Sequence, residues 1–249
     1  MGLSLRVEGV SLWLDRLSQK KLLQEIHLDL MTGELSVMVG ANGSGKSLLL
    51  QVLTGLHRPQ EGRVLLGGVP FPRAYKSLGQ GVGIVTQNPR TQILGQTVEE
   101  DILLSLEILG LDRATQKFEC EKLLRWAGLV DHHKQDPATL SGGELRRLSL
   151  ASVLAMKPEF ILLDEPFNGL DYPGVQDLLR ILIDLKSQGK GILAVTHHLD
   201  QILALADRLL VIGQGRVVAD GLPSRVLPHV EDHGVRRPPG KIEEMSWLA

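Results

Sequence analysis

The stretch Gly40-Ala41-Asn42-Gly43-Ser44-Gly45-Lys46-Ser47 constrains this chain more than any other. It satisfies G-x-x-x-x-G-K-[ST], follows the apolar run 35–39 and opens an apolar helical segment. Such a loop needs a buried strand to bring the chain in and a helix to carry it away. Its glycines let successive backbone N–H groups turn inward around phosphate oxygens, and the helix N-terminus adds partial positive charge. Lys46 is placed to reach β- and γ-phosphates, and the Ser47 hydroxyl to ligate Mg²⁺. Asn42, Gly43, Ser44, Gly45 and Leu48 complete the candidate contacts to a bound nucleotide. The bland alternative is a glycine-rich turn that happens to precede a lysine; the strand–loop–helix context argues against it.

The rest of the chain supplies the α/β frame that this loop demands. Apolar runs at 3–10, 26–30, 35–39, 63–66, 82–86, 160–163, 192–196, 208–212 and 216–219 read as strands. They alternate with amphipathic segments at 46–53, 98–109, 114–127, 143–155, 175–186 and 200–205, the pattern of a mainly parallel sheet. Residues before Gly33 read as antiparallel β, and 62–68 rejoins that layer. Residues 89–158 read as consecutive helices, a subdomain inserted between two strands of one sheet. A single domain over 1–227 then leaves 228–249 as a tail, expected to be loose because it carries prolines, histidines and charges without periodicity.

Composition narrows the classes further. Lys plus Arg number 27 and Asp plus Glu 29, a net charge of −2, which speaks against coating DNA or an anionic bilayer. With 43% hydrophobic and 22% charged residues the chain is a folded globular one. Its one cysteine, Cys120, has no internal disulfide partner and predicts a cytosolic setting. No apolar run is long enough to cross a bilayer, and charge comes too early for a signal peptide.

Two further motifs carry chemistry. Phe160-Ile161-Leu162-Leu163-Asp164-Glu165 is an apolar strand ending in two acids. Asp164, at the strand's end, is placed to hold Mg²⁺ through water. Glu165 is placed to polarise a water for attack on the γ-phosphate. Alone, such acids are what strand ends show to solvent; beside a phosphate loop the functional reading prevails. Leu140-Ser141-Gly142-Gly143-Glu144 opens a helix with Ser141 as N-cap and two glycines leaving the N-terminus open to an anion. A second anion site makes sense if it serves a nucleotide held by another copy. A capped helix with flexible glycines is the alternative.

The order GANGSGKS, Gln87, LSGGE, ILLDEP, Asn168-Gly169-Leu170-Asp171 and Thr196-His197 resembles the ATPase subunit of ABC transporters over about residues 3–227. That resemblance implies a P-loop NTPase fold with a RecA-like α/β core, an N-terminal antiparallel β-subdomain and an inserted helical subdomain. It implies a head-to-tail dimer in which each of two ATP molecules lies between one protomer's phosphate loop and the other's LSGGE segment. By position, Gln87 matches the glutamine that contacts Mg²⁺ and the attacking water and senses the membrane subunits. Asp171 matches the aspartate that crosses the dimer interface, and His197 the histidine that contacts the γ-phosphate. His198 is expected to face solvent, because adjacent residues leaving a strand point to opposite sides. From the residues alone, Gln87 and His197 read as a loop glutamine and a surface histidine.

One departure from the family concerns adenine, which an aromatic residue near the end of the first strand usually stacks upon. Trp13 falls one position early; the alternatives are Leu14, a register shift across residues 15–21, or Trp13 as a core aromatic.

Within the family, Gln87-Asn88-Pro89-Arg90-Thr91-Gln92 with Thr97–Ile102, then Thr196–Asp200 and Gly215–Gly221, resemble the ATPases of energy-coupling-factor importers of vitamins, cobalt and nickel. The acids Glu99, Glu100 and Asp101 would also suit a helix start on electrostatic grounds alone. The eight histidines offer no defensible metal site, so Mg²⁺ is the one metal expected here. The partners expected are a second ATPase subunit, identical or paralogous, and transmembrane transporter subunits, which would hold the chain peripherally on the cytoplasmic face of the membrane; no nucleic acid is expected. Another ABC importer or exporter class is the nearest alternative. An ABC ATPase of DNA repair is disfavoured because the span between Ser47 and Leu140 holds only a compact helical insert. A ribosome-associated factor would carry two cassettes, and an unrelated P-loop kinase leaves LSGGE unexplained.

Overall fold

Two sheets and a helical insert share the chain, of which the computed structural model describes residues 2–13, 21–70 and 81–248. The strands are β1 (Ser4–Trp13), β2 (Lys21–Met31), β3 (Leu35–Val39), β4 (Glu61–Leu66), β5 (Val69–Pro70), β6 (Val82–Val85), β7 (Phe160–Asp164), β8 (Gly191–Val195), β9 (Arg208–Gly213) and β10 (Arg216–Gly221). The helices are α1 (Lys46–Leu53), α2 (Val98–Glu107), α3 (Arg113–Trp126), α4 (Gly142–Ala155), α5 (Tyr172–Ser187), α6 (Leu199–Ile202) and α7 (Pro223–Val226). An antiparallel sheet runs β2-β1-β4-β5, and the larger sheet runs β10-β9-β3-β8-β7-β6. Within the larger sheet β9, β3, β8, β7 and β6 are parallel and β10 is antiparallel to β9.

The parallel strands are buried on both faces, as near-continuous Val, Ile and Leu runs demand. Alternation divides them between two cores. Val37, Ile161, Leu163 and Ala194 pack on α5, whereas Met38, Leu162, Leu193 and Val195 pack on α1 and the antiparallel sheet. A third cluster, built on Ile102, Leu106, Leu124, Leu145 and Leu148, holds the helical insert together. Between 89 and 158 every regular element is helical. Each α-helix start there has a side-chain cap: Thr97 accepts from the Glu100 N–H, Asp112 from Ala114 and Thr115, and Ser141 forms a capping box with Glu144. Cys120 is buried in this insert, and burial beside Glu99 and Glu121 pushes its thiol up to about 12, so it is an inert core thiol.

Three expectations are corrected. The first hairpin strands run longer than their apolar cores suggest, and the helix expected at 200–205 is a short α-turn followed by a 3₁₀ turn, Leu203–Leu205. The segment after 227 is not loose. Val230, Val235 and Met245 are buried in the core under α5, and Trp247 packs against the same cluster. A 3₁₀ run, Leu227–His233, ends at Gly234 in the left-handed region, and the Ala204 N–H donates to the Met245 carbonyl. Its few apolar residues are spaced with no regular period, which is why the sequence pattern hid them.

Candidate functional site

Parallel strands end on one edge of a sheet, so residues that follow them meet there. The pairs Met38–Val195, Asp164–Val195 and Val85–Leu163 keep the ends of β3, β8, β7 and β6 level. Just beyond them come the phosphate loop, Asp164-Glu165, Thr196-His197 and Gln87. Of these, Asp164, Glu165, His197 and Gln87 line one cleft of about 560 Å³, together with Asn42, Gly43, Gly45, Lys46, Ser47 and Leu48 of the loop, Asn168 and His198.

The loop closes tightly on itself. A Cβ on Gly40 would lie 2.2 Å from the Ile212 carbonyl oxygen, so no side chain fits there. Gly45 has φ +106, and a Cβ would meet Leu23 at 2.8 Å. It is also the N-cap of α1 and offers no side-chain acceptor, which leaves the first N–H groups of that helix pointing outward unmet by a cap. The Ser44 hydroxyl is buried with no hydrogen-bond partner among the described residues. Lys46 is 8% exposed, and its ammonium donates to the Gly40 carbonyl at 2.7 Å and the Ala41 carbonyl at 3.1 Å. Burial lowers its pKa, opposed by the charges of Glu165 and then Asp164. An orphaned hydroxyl, uncapped N–H groups and a buried ammonium together fit a phosphate chain.

Asp164 accepts a hydrogen bond from the Ser47 hydroxyl, and burial raises its pKa against the pull of that bond and of Lys46. A carboxylate, a hydroxyl and the exposed Gln87 amide make a sparse oxygen set. Such a set suits Mg²⁺, which keeps waters and takes phosphate oxygens rather than a full protein cage. Glu165 would leave the sheet on the far side if the strand continued. Instead its φ of +47, a left-handed backbone unusual for a non-glycine residue, turns the chain. Its N–H donates to the Val195 carbonyl at 2.8 Å, and its carboxylate, 7% exposed, swings into the cleft. One carboxylate oxygen lies 3.3 Å from His197 Nε2, and the other accepts from the His197 backbone N–H at 3.3 Å.

Other expected residues lie elsewhere. Trp13 does not line the cleft. The Lys21 ammonium sits 4.6 Å from its ring centroid, its N–H donates to Gln60 Oε1, and Leu22 lines the cleft instead. Leu14 and residues 15–20, the alternative adenine contacts, are outside the described residues. His198 is exposed yet lines the same cleft as His197, so strand alternation does not carry past Thr196, where the strand has ended. Ser141, Gly142 and Gly143 are absent from the cleft and lie at the exposed start of α4. The Ser141 hydroxyl donates to Glu144 at 2.7 Å, and this bond with the Ser141 N–H holds the Glu144 carboxyl below the usual carboxylate range. Asp171 is the N-cap of α5 and accepts from the Gly174 N–H at 3.0 Å.

Sequence reasoning missed Arg146 and underread Asp101. Asp101 is buried, accepting from the Leu94 and Gly95 N–H groups and from the Ser152 hydroxyl at 2.6 Å, so it is an internal staple rather than a helix-dipole charge. Arg146 sits among Leu145, Leu148 and Leu150 on the buried face of α4, and a charge in an apolar stripe was the available signal.

Comparisons with known proteins agree with one another. The family model described as ABC transporter matches residues 23–168. The chain is 43% identical over 195 residues to the Energy-coupling factor transporter ATP-binding protein EcfA1 of Thermotoga maritima, covering 78% of this chain and 74% of that protein. It is 37% identical over 211 residues to the Cobalt import ATP-binding protein CbiO of Syntrophus aciditrophicus, covering 84% and 75%. Among solved structures, cbiO1 of Clostridium perfringens, part of the ABC transporter complex cbiONQ, matches with a TM-score of 0.81 at 28% identity over 93% of each chain.

Proposed function

The chain belongs to the ABC transporter family of ATPase subunits, and from that premise we propose that it powers an importer of the energy-coupling-factor type. The cargo would be a vitamin or a transition-metal ion such as cobalt or nickel, chosen by separate membrane proteins. The observation that carries this reading is a division of parts. Lys46, Ser47, Asp164, Glu165, Gln87 and His197 share one cleft, while the exposed helix start at Ser141 and Gly142 lies outside it. A second anion site pointing outward is best explained by a partner protomer whose ATP it closes over. In this reading Asp171 lies at the same interface, and 89–158 is the helical insert of the ATPase domain.

The residues then divide the work of ATP hydrolysis. Binding exchanges the Lys46 contacts to Gly40 and Ala41 for phosphate oxygens, while Ser44 and the loop N–H groups gain acceptors they lack. Leu22 and Leu48 offer apolar surface beside the loop. Ser47, Asp164 and Gln87 would hold Mg²⁺, which when bound neutralises charge on the β- and γ-phosphates. Glu165 orients a water and accepts its proton as the oxygen attacks γ-phosphorus and the bond from γ-phosphorus to the β,γ-bridging oxygen breaks, releasing ADP and phosphate. His197, 3.3 Å from Glu165, fixes that carboxylate and adds a donor toward the γ-phosphate. No helix among the described residues is long and apolar enough to cross a membrane, so transport would need separate membrane chains and a peripheral seat on the cytoplasmic face.

Affinity purification from detergent-solubilised membranes tests the assignment, with copurifying chains identified by mass. A transmembrane scaffold, a small substrate-binding membrane protein and a second ATPase are the expected set. A soluble complex with nucleic acid or ribosomes, and no membrane chain, would overturn it.

A further inference from the structure

Arg146 is 4% exposed in the second turn of α4, and among the described residues no carboxylate forms an ion pair with it. Burial lowers its pKa with no opposing charge, and its Nε has no hydrogen-bond partner. A buried guanidinium met only by carbonyl dipoles is a poor way to stabilise a fold, since an apolar side chain of like volume is commonly as good or better there. What it touches is informative. Its guanidinium donates to the Thr86 carbonyl at 3.2 Å and the Asn168 carbonyl at 3.4 Å. Thr86 immediately precedes Gln87, and Asn168 lines the nucleotide cleft three residues before Asp171.

A second set of bonds supports the first. Gln92 accepts from the Thr86 N–H at 2.8 Å and from the Ser149 hydroxyl at 3.3 Å, and donates to the Ile84 carbonyl at 2.8 Å. Arg146 and Ser149 are three apart on one face of α4, so this helix holds the Thr86 carbonyl directly and its N–H through Gln92. The same helix begins at Ser141–Gly143.

We propose that Arg146 is a positioning residue: it ties Gln87 and the Asn168–Asp171 turn to the helix whose N-terminus faces the partner's nucleotide. It touches neither phosphate nor the attacking water and acts through the backbone of both loops. The proposal rests on the assignment of Gln87 and Asp171 above.

The test uses the full chain with its membrane partners and compares Arg146→Met, Arg146→Lys and Gln87→Ala. Arg146→Met is expected to leave the melting temperature and nucleotide affinity near wild type while kcat falls about 10- to 100-fold, as loss of an orienting contact does. Arg146→Lys, able to reach one carbonyl but not both in a planar fork, should recover only part of the rate. The double variant Arg146→Met/Gln87→Ala should lose less than the product of the two single losses, because Arg146 acts in part through the Gln87 loop. Wild-type kcat in Arg146→Met, multiplicative losses in the double variant, or a rate loss that simply follows a collapsed melting temperature would each overturn the proposal. Failure of the underlying assignment looks different: Gln87→Ala and an Asp171→Ala control would then hydrolyse ATP normally on their own.

Discussion

Replacing Glu165 by Gln isolates what the carboxylate does from where it sits. The amide keeps the volume of a side chain only 7% exposed, can still accept from the His197 N–H, and still faces His197 Nε2, both contacts being 3.3 Å. What is lost is a proton acceptor and a charge. Loss of a general base costs about 10²–10⁴-fold in rate, or about 3–5 kcal/mol of barrier at 1.36 kcal/mol per tenfold. Binding moves the other way. A buried negative charge beside a polyanion's site is removed, so ATP affinity at neutral pH should equal or exceed that of the wild type. A secondary effect follows for Lys46, because Glu165 is the larger of the two charges that hold its pKa up. Without it that pKa drops further, the ammonium loses its proton earlier as pH rises, and ATP affinity should fade at lower alkaline pH in the variant. Phosphate release at saturating MgATP, calorimetric titration from neutral to alkaline pH and light scattering for the ATP-bound dimer read these three effects. A kcat within about threefold of wild type, less than 1 kcal/mol of barrier, would refute the role given to Glu165. So would an affinity loss matching the rate loss.

Lys46→Ala should lose nucleotide affinity and activity together, because the ammonium meets phosphate charge in ground and transition states alike; equal affinities by calorimetry would contradict this. Gly142→Asp should spare nucleotide binding by the isolated subunit and abolish ATP-dependent dimerisation and hydrolysis. Affinity falling as far as in Lys46→Ala would mean that the segment serves its own protomer. Trp247→Ala removes a ring 5.3 Å from Tyr172 and loosens a segment whose Trp247 carbonyl accepts from Gln176 at 2.9 Å. An aromatic pair with partial burial is worth about 1–2 kcal/mol, so thermal unfolding should shift down by about 2–8 °C for a chain of this size. An unshifted melting curve would show that the terminal segment contributes no stability.

The cleft was legible because its residues announce themselves by type and order: a glycine loop with a lysine, two acids closing an apolar strand, a histidine closing another. Period-2 burial and strand–helix alternation located most elements for the same reason. What escaped was of two kinds. The C-terminal segment buries Val230, Val235 and Met245 at irregular spacing, and 3₁₀ turns have no amphipathic period to detect. Arg146 and Asp101 carry charge, and charge in one sequence defaults to the surface; only the fold shows that backbone carbonyls and N–H groups receive them. Trp13 is ambiguous for another reason, since an aromatic at a strand end suits either a base or the lysine that lies over its ring.

Arg146, which the motifs did not announce, and Gln92 lie where the helical insert meets the sheet, and α4 explains why. Its Leu150 belongs to the core under α5, whereas its Leu145, Leu148 and Ala151 belong to the insert's own core. The helix is thus packed into both bodies. Fourteen residues at about 1.5 Å of rise make it a rod of about 21 Å, with Ser141 at one end. Apolar packing alone would fix it against both cores but could not set the position of a loop backbone. Directional bonds can. Arg146 and Gln92 hold the Thr86 backbone to that rod, one residue from Gln87, while Arg146 also holds Asn168 beside the cleft. A shift at the Ser141 end, which in the proposed dimer would close over a partner's nucleotide, would therefore reach the loops of Gln87 and Asn168 without passing through the apolar cores, which keep the sheet and the phosphate loop in place.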